Sequence, residues 1–150
     1  MTQLSDAFTE KPRNGNKFIT TNVGVSYPFD DLHQRQAPKP YLTSALWDTG
    51  ASHCLISNEL ARHLNLHPID KIKVQHAAGV SYENVYLAIV HVTKKFYVEV
   101  ELTEFKSTDN FEIIIGMDVI SKGDFAITNQ DGITTFSFRL PSSTTIDFTK

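Results

Sequence analysis

The stretch with the clearest chemical content is Ala45-Leu46-Trp47-Asp48-Thr49-Gly50-Ala51-Ser52. It carries an apolar strand end into a tight loop with one carboxylate, Asp48, at its tip. Burial at such a place raises a carboxylate's pKa unless something holds the ionised form. Thr49 and Ser52 bring hydroxyls that can do so. Gly50 lets the backbone turn or come close to another chain. A carboxylate fixed this way, with its oxygens facing a cavity, is equipped to take or give a proton.

Two other constellations need weighing. His63 and His67 are four apart, with His53-Cys54 nearby, a ligand set that zinc accepts. Asn65 and Pro68 argue that the helix ends before His67, which points the two imidazoles apart, and the spacing fits no named zinc pattern. We therefore expect no metal and no cofactor. A Cys54–imidazole pair is the working unit of cysteine hydrolases. Cys54 lies in the apolar run Cys54-Leu55-Ile56, however, and the reading adopted is a buried structural thiol. His33 and His91 have no recognisable partner.

The elements that must position Asp48 are mostly short strands. Ile19 to Phe29 alternates with period two, and Pro28 with Asp30-Asp31 ends it. Leu32 to Lys39 is polar, with Ala37-Pro38-Lys39-Pro40 a stiff connector. Tyr41 to Trp47 is the strand that delivers Asp48. Ser57 is a good N-cap for a two-turn helix through Leu60, Ala61 and Leu64, with Glu59 in its first turn and Asn65 taking a left-handed exit. Ile69 to Ala77 and Tyr82 to Val92 are strands around a turn at Ala78-Gly79-Val80-Ser81. The second is apolar on both faces, as in a strand sandwiched inside the domain. Phe96 to Leu102 has one wet face, and Lys106 to Asn110 is a loop. Phe111 to Ile115 is a short buried strand, and Met117 to Lys122 a short helix stopped by Gly123. Phe125 to Thr128 and Ile133 to Leu140 form a hairpin at Asp131-Gly132. Such a pattern predicts an all-β barrel or sandwich.

Composition sets outer bounds. At 150 residues, 41% hydrophobic and 21% charged, the chain has the make-up of one globular domain. A net charge of −3 with no basic run argues against a nucleic-acid partner. No apolar run reaches the ~20 residues of a membrane helix. Residues 1–16 are polar and lack the apolar core of a signal peptide, and a single cysteine fits a reducing compartment. The expected location is cytoplasmic. The expected layout is a flexible or partner-ordered arm at 1–16, a folded domain at 17–140, and a tail at 141–150 whose Ile146 and Phe148 suit an edge strand.

Apolar-apolar-Asp48-Thr49-Gly50-Ala51-Ser52, followed by Ile113-Ile114-Ile115-Gly116 and Met117-Asp118-Val119-Ile120, resembles the aspartic peptidases over about Pro40 to Thr128. Asp-Thr-Gly occurs once, and two-domain pepsins carry two copies. The resemblance is therefore to the retroviral-type, retropepsin-like members, which build one active site from two identical subunits. It implies a closed, irregular all-β barrel with one or two short helices, dimerised about a two-fold axis. It further implies a peptide-bond hydrolase in which Asp48 of each subunit forms a dyad that activates a water against an extended polypeptide. Thr49 would lock the paired loops together, and Gly50 would admit substrate backbone. Ala51 belongs to the same supporting loop, and Ser52 would brace the outer carboxylate oxygen. The hairpin tip Ala77-Ala78-Gly79 would be the flap, while Ile114, Ile115 and Gly116 would pack beneath the loop.

Three features depart from the viral pattern. Met117 stands where viral members usually carry a dimer-tying Arg, closer to cellular and bacterial relatives. The flap has one Gly. Trp47 is bulkier than the usual Leu, Val or Phe. A rival reading is a catalytically silent dimerisation or peptide-binding module on the same fold.

Overall fold

The computed structural model describes residues 6–12, 17–29, 38–107 and 110–150. The elements run β1 (Asp6–Glu10), β2 (Thr20–Ser26), β3 (Tyr41–Trp47), β4 (Leu55–Ser57), α1 (Asn58–His63), β5 (Asp70–His76), β6 (Gly79–His91), β7 (Tyr97–Phe105), β8 (Ile113–Ile115), α2 (Met117–Ile120), β9 (Asp124–Gln130) and β10 (Ile133–Leu140). Seven strands form one sheet in the order β2-β3-β8-β4-β7-β6-β5. A further pairing of β2 with β6 rolls it into a ring rather than a clean barrel. A separate three-stranded sheet has the order β1-β10-β9. The all-β expectation with two short helices holds.

The long β6 explains the closure. Its first part pairs with β5, its second with β7, and its last residues with β2 as well. Edge pairing covers only the backbone, and an apolar pattern on both faces means that side chains are packed over both. Val85, Tyr86, Ala88, Ile89 and Val90 are all buried, as the sequence pattern predicts. The ring's core continues through Val23, Val25, Ala45, Ile56, Leu102, Ile113 and Ile115.

Local signals place the short elements. Ser57 Oγ accepts from Leu60 N–H at 3.0 Å and caps α1, and Asn65 leaves the helix at φ 50°. Asp131 and Gly132 adopt φ 53° and 76°, the left-handed pair that a two-residue hairpin turn demands.

Three expectations are corrected. Inside the stretch expected to be a flexible arm, Asp6–Glu10 forms β1 and pairs antiparallel with β10. Phe8 drives this, because its ring packs against Phe136 and Phe138 of β10. The tail 141–150 forms no strand. Instead Ser142 and Ser143 are caught by the Asp124 carboxylate. The turn expected at Ala78–Ser81 lies one residue earlier: His76 faces Gly79 in the ladder, so Ala77 and Ala78 make the reversal. Gly79, at φ 133°, absorbs the bend that lets Val80 and Ser81 stay paired. The polar connector falls largely outside the described residues, as does His33. Among the described residues, no helix is long and apolar enough to cross a membrane.

Candidate active site

Strands β3 and β8 run parallel, with Trp47 level with Ile115. Parallel neighbours discharge their loops at the same end, so Asp48 and Gly116 emerge side by side. Asp48 N–H donates to Ile115 O at 3.0 Å, extending the ladder one residue into the loop. β4 then returns antiparallel to β8, pairing Leu55 with Ile114. Residues 48–54 are thus a loop suspended between two strands that share β8 as neighbour.

The loop organises its own carboxylate. Gly50 N–H donates to Asp48 Oδ1 at 2.8 Å, and Ala51 N–H donates to Asp48 O at 3.2 Å. A Cβ on Gly50 would stand 3.1 Å from Asp48 Oδ1, so a side chain there would crowd the carboxylate. Among the described residues no side chain donates to Asp48 Oδ2. Ser52, expected to brace the carboxylate, is exposed and makes no hydrogen bond to Asp48 among the described residues; the Gly50 amide braces it instead. Thr49 and Gly50 are exposed as well, so this part of the loop lies on the surface.

Beneath the loop, Gly116 leaves no room for a side chain: its Cβ would fall 2.5 Å from His53 O and 2.9 Å from Ala51 O. Met117 N–H donates to Ala51 O at 2.8 Å. Ile115 is buried and Ile114 half-buried. Asp118, which the sequence reading did not single out, holds the far end of the loop. Its Oδ2 accepts from Cys54 N–H at 3.0 Å and its Oδ1 from the Cys54 thiol at 3.1 Å. An acidic residue in the first turn of a helix that follows a glycine is the available signal.

Behind Asp48, Trp47 is 4% exposed. Its indole N–H donates to Thr21 Oγ1 at 2.9 Å. The ring sits in a bed of Phe8, Phe125, Phe136 and Phe138, with centroids 4.8–6.2 Å away. A bulky residue before the carboxylate is therefore accommodated by the second sheet, which supplies all four rings.

The alternative chemistries do not assemble. Cys54 is 1% exposed, and burial pushes its thiol well above the ordinary range, the opposite of an activated nucleophile. Its side-chain partner is a carboxylate, not an imidazole. His63 packs against Tyr41, centroids 4.8 Å apart. Among the described residues no three His, Cys, Asp or Glu side chains converge as a metal site. His91 Nε2 lies 2.9 Å from the Ser26 hydroxyl, and burial lowers its pKa.

The hairpin of β5 and β6 ends at Ala77, Ala78 and Gly79, all exposed, and His76 Nε2 meets Ser81 Oγ at 2.8 Å across it. Val80 and Tyr82 near its tip are 52% and 64% exposed. Two cavities of about 370 and 350 Å³ open elsewhere. One is lined by Val23, Gly24, Pro40, Leu42 and His91, the other by Asn58, Arg62, Tyr86 and Glu104. Neither includes a residue of the Asp48 loop.

Comparison with known proteins follows the same lines. The family described as "gag-polyprotein putative aspartyl protease" matches residues 41–122. The fold is similar to the crystal structure of a retropepsin-like aspartic protease from Rickettsia conorii, at TM-score 0.54 and 13% identity, covering 93% of this chain and 98% of that one. The solution structure of the simian foamy virus (mac) protease aligns at TM-score 0.47 and 16% identity, covering 69% and 92%. A sequence search of curated proteins gives no match.

Proposed function

The chain belongs to the retropepsin-like family of gag-polyprotein aspartyl proteases, and from that premise we propose that it is an aspartic endopeptidase whose active site forms when two copies bring Asp48 and Asp48′ together. The observation that carries this reading is the presentation of Asp48. One carboxylate stands on an exposed loop at the buried end of β3, one oxygen held by Gly50 N–H at 2.8 Å, with no carboxylate partner among the described residues. We take the peptidase body to be 17–140 together with Asp6–Glu10, which pairs with β10.

The chemistry follows from the pairing. Two carboxyls within about 3 Å cannot both ionise, so they share one proton. The ionised partner takes a proton from a water lodged between them, and that water attacks the peptide carbonyl. The protonated partner donates to the carbonyl oxygen. Collapse of the tetrahedral diol passes a proton to the leaving nitrogen. The Gly50 amide fixes the carboxylate plane so that this exchange needs no side-chain rearrangement. Thr49, exposed on the loop, would meet its counterpart across the axis. Ala77, Ala78 and Gly79 would cover an extended polypeptide as a flap, with Val80 and Tyr82 as its apolar underside. No cofactor is required. The pKa values belong to the dyad as a unit, so activity should follow a bell with its maximum in mildly acidic solution.

The test is cleavage of an unfolded protein at mildly acidic pH by wild type and by Asp48→Asn. We expect Asp48→Asn to lose at least a thousandfold in kcat while remaining dimeric. Specific activity of the wild type should also fall on dilution, tracking dimer dissociation by sedimentation. Retained cleavage in the Asn variant, or a strictly monomeric active species, defeats the proposal. A dimer that cleaves nothing would favour the silent binding module.

A further inference from the structure

We propose that Asp118 is a positioning residue for the loop that carries Asp48, acting as a two-pronged clamp; this rests on the reading of Asp48 as the catalytic carboxylate. Between Asp48 and β4 the chain has little regular structure of its own. Its path is fixed by the turn formed by Gly116 and the start of α2. Met117 N–H holds Ala51 O at 2.8 Å, and Ala51 N–H in turn holds Asp48 O at 3.2 Å. Asp118 secures the other end, its two oxygens accepting the Cys54 amide at 3.0 Å and the Cys54 thiol at 3.1 Å. Gly116 N–H faces the same sulfur at 3.4 Å. Asp118 Oδ1 also accepts Val119 N–H at 3.0 Å, which ties the carboxylate to its own helix and fixes its orientation.

The clamp does not touch Asp48. It sets where residues 51–54 lie, and through the Ala51–Asp48 bond it sets the height of the carboxylate above β8. Geometry, rather than charge, is what this requires. An asparagine can keep both Cys54 contacts, its Oδ1 accepting the Cys54 amide and its NH₂ donating to the sulfur; it gives up the bond from Val119 N–H, which retains Gly116 O as acceptor at 3.1 Å. A glutamate keeps the charge but places its carboxylate one methylene too far. Misplacing a reacting group by about 1 Å is enough to cost on the order of a hundredfold in rate.

Asp118→Ala, Asp118→Asn and Asp118→Glu should be compared with wild type in full-length dimeric protein, using a quenched peptide substrate and hydrogen exchange by mass spectrometry. Asp118→Ala should lower kcat at least tenfold with KM within about twofold, and speed amide exchange in residues 49–54 but not in β6. Asp118→Asn should stay within about threefold of wild type, and Asp118→Glu should resemble Asp118→Ala. If Asp118→Ala does not fold, the order of Asn above Glu decides: Glu equal to or above Asn in both kcat and loop protection overturns the clamp. If the wild type cleaves nothing, the endopeptidase reading falls by itself. The exchange ranking of Asn against Glu then still supports or overturns the clamp.

Discussion

Gly116 and Gly50 show how closely the loop is built around its carboxylate. A side chain at Gly50 would crowd Asp48 Oδ1, and one at Gly116 is excluded by the backbone of Ala51 and His53. In Gly116→Ala the new methyl would overlap His53 O, which is backbone and cannot swing aside. We expect a loss of about 1–3 kcal/mol in chemical denaturation, together with a larger drop in kcat than Gly79→Ala causes. At this scale the sequence was readable where residue type alone carries the constraint: a carboxylate between apolar and small residues, and a glycine after three isoleucines. Asp118 escaped because its role depends on which backbone it faces. That is decided by the parallel pairing of β3 with β8, not by neighbours in sequence. Ser52 was misplaced for the same reason. A hydroxyl four residues from Asp48 looks available, but the amide of Gly50 is already in position.

At the scale of elements, β1 is the instructive case. Five residues with one aromatic, set in a polar stretch, have no periodicity to betray a strand. They are strand because β10 offers an open edge and because Phe8 enters the bed of rings under Trp47. Tertiary context, not propensity, decides it. Phe8→Ala should therefore destabilise the fold by about 2–4 kcal/mol and change Trp47 fluorescence, since Trp47 is the chain's only tryptophan and Phe8 lies 5.9 Å from it. An unchanged emission spectrum would mean that β1 does not reach the indole. β6 was legible for the opposite reason. Its apolar residues on both faces report packing over both sides of the sheet at that point.

For the molecule as a whole, the Asp124 carboxylate joins β9, β10 and the tail. The Ser142 hydroxyl, the Ser143 amide and the Arg139 guanidinium hold it well below the usual carboxylate range. A pKa lowered on folding contributes stability that is complete above the unfolded value of about 3.9 and is lost as pH falls beneath it. Asp124→Asn should be less stable than wild type at pH 7, and the gap should close as urea titrations descend from pH 4 to pH 2. A gap that stays constant over that range would remove Asp124 from the acid response. An enzyme of the proposed kind works on the acid side of neutrality, and this ionised clamp remains intact there.

The aromatic bed under Trp47 has a temporal side as well. Phe136 and Phe138 lie on β10, far downstream of Trp47, and β1 cannot settle until β10 exists. A nascent chain released from the ribosome only as far as α2 already owns Asp48 and its loop, yet lacks the floor on which the preceding indole rests. The packing beneath the Asp48 loop is thereby completed only once β10 has been made, well after the loop itself.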